Sequence, residues 1–578
     1  MSTLLAFALS AAVAIQAPAP ATAPDAGDAA YYFLLGRHLE GAGQVDEAVA
    51  ALQQAIALAP RRAEPRAELA ALYARQDKAR DALEAAEDAL QVSPKNQEAN
   101  RVLGTVLAAA AEQRRPVTPG DDVSQYARRA MAALEIARGD GNGDLNIDLT
   151  LARLYIDADR YADAVPLMRR IVLEQPQYAE GWLLLAEAQE GTGASDAAID
   201  TLRQLLDEQP QYFRARVQLA ETLDRAHKWT DAADQWAAVQ KLNPRNTEIT
   251  ARHATALMNA DRPDAARDVL RAGLAQTPND VRLTFMLAQA QRDAGDLDGA
   301  EATARSLQQA HPEDVRFTYL VAQMLDARGR YQEMVDFLKP EVAKLRADTG
   351  KASQTAMLLG SEGLAFQQLR RYDEAIAAFA EAVRLAPGEP LRHVLLIQGY
   401  SAAGKHQDAI AAAEQAQAKF PNDTGVAYQL GAALDHAGRR REAEAAFRAL
   451  IAKDPLDAGA LNYLGYMIAE RGPSGDLDEA ISLIQRALKV DPDNPSFLDS
   501  LGWAYVQQGK LDLADQPLTT AAERMPQNSV IQDHLGDLRL KQHRHADAVA
   551  AWQKALAGDG DSIDRGKIQK KIDAARKK

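Results

Sequence analysis

Apolar residues along this chain recur three and four positions apart, the period of one helix face, and the stretches that carry them end on proline. Pro60, Pro94, Pro176, Pro210, Pro244, Pro278, Pro312, Pro387, Pro421, Pro455, Pro492 and Pro526 close successive stretches. Most of these prolines stand 34 residues apart, and intervals of 82, 75 and 37 mark insertions within an otherwise constant repeat. Counting position 1 from Ala29, position 8 is nearly always Gly or Ala, as at Gly36, Ala70, Gly104, Gly431, Gly502 and Gly536. Position 20 is Ala, as at Ala48, Ala82, Ala232, Ala443 and Ala548. Larger apolar residues occupy positions 7, 11 and 24, as in Leu35, Leu39 and Leu52 or Leu430, Leu434 and Phe447. The pattern predicts two antiparallel helices per repeat, crossing where only small side chains fit. Polar or glycine-bearing turns such as Glu40-Gly41-Ala42-Gly43 separate them.

Fifteen units begin at Ala29, Ala63, Gln97, Leu145, Ala179, Phe213, Thr247, Val281, Val315, Ala356, Pro390, Thr424, Ala458, Pro495 and Ser529. Together they resemble the tetratricopeptide repeat (TPR) family over residues 29 to about 562. The resemblance implies an all-α fold: a right-handed superhelical solenoid of about fifteen helix-turn-helix repeats, each burying its stripe against its neighbours. Residues 563–578, IDRGKIQKKIDAARKK, are expected to form a basic capping helix over the last unit. Four departures bear on local packing: Ile397 at small position 8, Met334 at position 20, Glu362 at apolar position 7, and an ambiguous register in the second helix of unit three.

Composition narrows the function. Hydrophobic residues reach 47% but aromatics only 6%, as suits closely packed helices with small side chains. With 66 Lys and Arg against 81 Asp and Glu, the net charge of −15 opposes a nucleic-acid partner. The absence of cysteine leaves no residue for a disulfide, a Cys-ligated zinc or iron–sulfur site, a thiol nucleophile or a lipidated cysteine. The uncharged run Leu4–Ile15 is shorter than the roughly 20 residues of a membrane span. It fits a signal peptide over residues 1–15 with Ala12-Val13-Ala14 as the cleavage site, although Met1-Ser2-Thr3 supplies no positive charge. Residues 16–28 follow as an Ala/Pro-rich linker. The expected location is periplasmic or secreted, with the cytoplasm as the alternative.

The repeats leave no room for a separate catalytic domain, and the chain lacks H-E-x-x-H, G-x-x-x-x-G-K-[ST] and G-x-S-x-G motifs, so neither enzymatic activity nor a cofactor is expected. Asp140, Asn142, Asp144, Asn146 and Asp148 alternate as calcium ligands would, but Leu145 stands at the turn glycine and Leu151 at the bidentate Glu, which favours a solvated connecting loop. His545 and His406 occupy position 17, where Tyr161, Trp229, Tyr331 and Tyr372 stand in other units, so they are expected to pack rather than to ligate with a neighbour such as His543. Trp182, Trp236 and Trp552 belong to the apolar stripe.

Positions 2, 5, 9 and 12 of each first helix point away from that stripe, toward the concave groove of a solenoid. Two zones there are rich in groups that hold a peptide. The middle zone offers Arg282, Phe285, Gln289 and Arg292, then Arg316, Tyr319, Gln323 and Asp326. The C-terminal zone offers Tyr428, Asp435, Asn462, Tyr466, Asp499, Trp503, Asp533 and Asp537. A Lys at position 5 with Asn at position 9, the carboxylate clamp of some TPR proteins, occurs in none of the fifteen units.

The segments Leu461–Tyr466, Leu498–Trp503, Asp533–Asp537 and Trp552–Leu556 resemble the tail of bacterial cell-envelope TPR proteins, among them an outer-membrane lipoprotein adaptor of a periplasmic carboxyl-terminal processing protease. The resemblance implies a noncatalytic scaffold or adaptor that binds a client, a periplasmic protease or an envelope assembly complex in its groove. A cytosolic TPR regulator and an enzyme-associated subunit are the alternatives.

Overall fold

The computed structural model describes residues 26–139, 144–472, 475–558 and 563–577. The Leu4–Ile15 run, its Ala12-Val13-Ala14 site, most of the 16–28 segment, and Asp140 and Asn142 lie outside the described residues. The described residues form 31 α-helices and two short 3-10 turns, with no strand among them. The helices fall into fifteen consecutive pairs and one final helix, Arg565–Ala575. The all-α helix-turn-helix repeat architecture is therefore the observed one. No helix among the described residues is long and apolar enough to cross a membrane.

First helices begin at the anticipated residue in all but three repeats; the exceptions start at Ala26, Glu64 and Ala352. The chemistry of the start is local. Proline lacks the N–H needed to continue the preceding helix, and in many repeats an Asn or Asp two residues later caps the next one. Asn96 thus accepts from Ala99 N at 2.9 Å, Asp457 from Ala460 N at 2.8 Å, and Asn528 from Ile531 N at 3.0 Å. Position 15, between the paired helices, is left-handed in every repeat but the third, whatever residue stands there: Gly43 has φ 78°, Asp77 58°, His227 56° and Arg370 60°.

Packing within each pair follows from positions 8, 20 and 24. A Cβ added to Gly36 would lie 2.7 Å from Leu52 Cγ and 3.3 Å from the Ala48 carbonyl, and one on Gly536 would lie 2.4 Å from Trp552 Cδ1. The bulky residue at position 24 therefore fills the space that position 8 vacates, directly above the position 20 backbone. In repeat eleven the sizes are exchanged: Ile397 at position 8 is fully buried, and position 24 of that repeat is the buried Ala413. Met334 is likewise absorbed in the core. Glu362 is buried at apolar position 7, and desolvation raises its carboxyl pKa above the ordinary range.

The insertion in repeat three separates its helices Gln97–Glu112 and Tyr126–Arg138. The buried Tyr126 anchors it, donating to Asp121 Oδ2 at 2.6 Å and accepting from Val117 N at 3.0 Å.

The chain divides into two compact bodies, residues 1–286 and 287–578. In the first, one continuous apolar cluster runs from Ala48 to Ala188, and repeats are tied by pairs about one period apart, such as Arg75 to Glu40 at 2.6 Å and Arg225 to Glu190 at 2.5 Å. In the second, a cluster from Ile397 to Ala504 is followed by smaller ones around Leu518, Ile531 and Trp552.

Two outcomes follow from this packing. Ala232 is fully buried, so Ala232→Leu is expected to overfill the crossing and cost about 1–3 kcal/mol, read as a lowered denaturant midpoint; an unchanged midpoint would contradict the crossing. Glu362→Gln is expected to unfold at a higher temperature than the parent at pH 7. Its raised folded pKa means the parent is best off below the unfolded carboxyl value and loses stability as pH rises through the folded one, so the two curves should converge toward pH 3.

Candidate functional site

The first helices of the last three repeats, Ala458–Ala469, Pro495–Gln508 and Ser529–Lys541, together with the final helix Arg565–Ala575, line a cleft of about 670 Å³ within the second body. Position 5 and position 9 lie one turn apart on each helix, so each contributes two groups to the same wall. The cleft gathers Asn462, Tyr466, Asp499, Trp503, Asp533 and Asp537, six residues that sequence position alone selects.

Their chemical states differ from a simple solvated row. Asp499 is only 5% exposed, and both its oxygens lie 3.0 Å from Nδ1 of the buried His534. The His534 ring stacks on Trp503 with centroids 4.2 Å apart and planes 12° from parallel. Trp503 in turn donates its Nε1 hydrogen to Glu470 Oε1 at 2.8 Å. Burial raises the Tyr466 phenol pKa, with the charges of Glu470 and Asp499 adding to the shift. The Lys571 ammonium lies 2.8 Å from Asp533 Oδ1 and 2.6 Å from Asp537 Oδ1. Asn462 Oδ1 is buried without a hydrogen-bond partner.

The wall is thus an aromatic and histidine surface whose carboxylates are already engaged within the chain. Asp499 acts as the orienting partner of His534 and is not a free contact.

The remaining predicted residues are placed differently. Tyr428 lies outside the cleft, edge-on to Phe447 at 5.5 Å and to Tyr463 at 5.7 Å, so its ring packs between repeats. Asp435 accepts from the Tyr463 hydroxyl at 3.2 Å. Arg282 and Phe285 belong to the first body, and Gln289, Arg316, Tyr319 and Gln323 to the second. Both arginines are occupied: Arg282 pairs with Glu248, and Arg316 with Asp314 at 2.5 Å.

Asp144 and Asp148 of the alternating acidic run have partners within the chain. Asp148, fully buried, bonds Arg138 Nε and Arg170 Nη1, each at 2.8 Å, so its two oxygens bridge a pair of guanidinium groups. Asp144 caps the Leu145–Asp157 helix, accepting from Asn146 N at 2.9 Å. No cluster of three metal-ligating side chains exists among the described residues. His543 is the left-handed residue of its turn, with φ 62°.

Sequence position missed His534, Glu470, Lys567 and Lys571. His534 stands at position 6, one residue off the groove face. The two lysines carry a usable signal: Ile563 follows Ser529 by 34 residues, which puts Lys567 at position 5 and Lys571 at position 9 of a further first helix.

The buried His534–Asp499 pair has a defined pH signature. Burial alone lowers the imidazole pKa, but the Asp499 charge and hydrogen bond, with Asp533 and Glu470 behind them, outweigh it and raise the net value. The pair's stabilisation is therefore complete below the ordinary imidazole value of about 6.5 and is lost as pH rises through the raised folded value. His534→Gln is expected to cost about 3–5 kcal/mol near pH 5.5 and clearly less at pH 9, as measured by denaturant unfolding; an equal cost at both would contradict the charged pair.

Family models described as tetratricopeptide repeat match residues 149–213, 217–281, 345–390 and 361–424, then 257–324, 400–464 and 474–538, and 29–62, together more than half of the chain. A TPR repeat-containing protein of Pseudomonas aeruginosa is 46% identical over 59 residues, a stretch that is 10% of this chain and 10% of that relative. Among solved structures, Naa15/Naa10 bound to HypK-THB aligns at 14% identity and a TM-score of 0.38, covering 95% of this chain and 96% of that one. The Cut9–Hcn1 hetero-tetramer of the APC/C aligns at 16% identity and 0.37, covering 88% and 95%. Yeast Tom70 aligns at 15% and 0.33, covering 82% and 95%.

Proposed function

The chain belongs to the tetratricopeptide repeat family, and from that premise we propose that it is a noncatalytic scaffold of the bacterial cell envelope that holds a client protein and an enzyme on one chain. The observation that carries the binding role is the C-terminal cleft. Tyr466 and Trp503 supply flat apolar area beside the Asn462 amide. An extended or helical segment would bury a side chain on the rings.

A scaffold of this kind works by effective concentration: once one partner is held, the second meets it intramolecularly. The envelope setting is supported by the Leu4–Ile15 run and by the resemblance of the last repeats to envelope TPR proteins. That resemblance points to a carboxyl-terminal processing protease as the enzyme partner.

The test is capture. Tyr466→Ala with Trp503→Ala is expected to reduce in-cell crosslinking of the partner by at least about tenfold while leaving helical circular dichroism unchanged. Undiminished capture with intact helicity would remove the cleft from the binding surface. Terminal sequencing of the chain from a periplasmic fraction is expected to begin at Ile15; recovery from the cytoplasm with Met1 retained would exclude the envelope setting.

A further inference from the structure

The helix Arg565–Ala575 stands in the register of a first helix, and three buried apolar side chains hold it to the last repeat. Ile568, Ile572 and Ala575 pack with Ala548, Trp552 and Ala555. Between them, Lys571 enters a receptor built by the preceding repeat. Its Nζ lies 2.8 Å from Asp533 Oδ1, 2.6 and 2.8 Å from the two Asp537 oxygens, and 5.7 Å from the centre of the Trp552 ring. Two carboxylates one turn apart and an aromatic face thus converge on one cation. An 11-residue helix is not self-sustaining in water, so its order depends on this small set of contacts.

We propose that the surface formed by Asp533, Asp537 and Trp552 is a docking site for a basic amphipathic helix of a partner protein, and that the chain's own Arg565–Ala575 helix is its displaceable resident. The resident specifies the partner's chemistry: a lysine in the place of Lys571, isoleucine three residues before it and one after it, and a small residue four after it. Charge complementarity favours the exchange. Residues 563–578 carry seven basic side chains against two acidic ones, whereas the whole chain is −15. Burial raises the Asp537 pKa even with Lys571 beside it, so a vacated receptor favours a replacement cation over an empty carboxylate pair. The proposal rests on the scaffold reading's premise of a protein partner and uses Asp533 and Asp537 from the same cleft, but its test uses a synthetic peptide, so either can fail without the other.

The full-length chain and its Lys571→Glu variant are titrated into a fluorescein-labelled peptide of residues 563–578, followed by anisotropy. The peptide is expected to bind the variant at least tenfold more tightly than the intact chain, because the resident helix is repelled from the carboxylates. A peptide with glutamine at the Lys571 place is expected to bind at least tenfold more weakly, and Asp533→Asn with Asp537→Asn in the variant should abolish binding. In the intact chain, amides of 565–575 are expected to exchange at least tenfold faster than those of 529–541. Should Lys571→Glu unfold the last repeat, Lys571→Gln takes its place. Equal exchange in the two helices, binding indifferent to the lysine or to the carboxylates, or dimers formed by swapped C-terminal helices would each overturn the proposal.

Discussion

The closest approach of the two helices in each repeat governs everything else in this structure. At Gly36, Gly465 and Gly536 the neighbouring side chain or carbonyl stands nearer than any added methyl tolerates, between 2.4 and 2.9 Å. A gap that narrow admits only glycine on one helix, while the other offers an alanine and turns its bulky residue across the cleared space. The rule concerns volume more than residue type, as repeat eleven demonstrates by putting Ile397 opposite a small Ala413. Once the crossing is set, the apolar stripe of each pair is half covered and the next repeat must cover the rest.

Covering the stripe fixes which residues meet between repeats. Side chains about one period apart in sequence become neighbours: Glu40 meets Arg75, Glu190 meets Arg225, Glu470 meets Trp503, and Asp499 meets His534. Exposed examples contribute little to stability. In the C-terminal cleft the same geometry places the pair in a buried setting, where charge and aromatic stacking reinforce each other. The cleft wall of Tyr466, Trp503 and His534 is thus assembled by the contacts that stack the repeats.

Sequence position located much of this wall and misassigned part of it. Asn462, Tyr466, Trp503, Asp533 and Asp537 lie at positions 5 and 9 and do line one cleft, because helical periodicity carries their direction. Tyr428 shares the same position 5 yet packs on Phe447 and Tyr463, since neighbouring large rings leave it a partner within the core. Asp499 is directed correctly but is claimed by a histidine from the following repeat, and such a pairing depends on how two helices stack. Periodicity specifies direction; it does not specify who else arrives there.

The chain by itself determined its all-helical class and its fifteen pairs. These are consequences of local physics: turn and cap chemistry act over a few residues, and small residues at constant spacing impose the crossing without reference to distant parts. Tertiary structure decided the rest. Asp148 joins two arginines, His534 joins Asp499 and Trp503, and Lys571 occupies the carboxylates of Asp533 and Asp537. Each depends on burial and on atoms brought together across helices, and a side chain's charge state is set by those neighbours rather than by its place in the repeat.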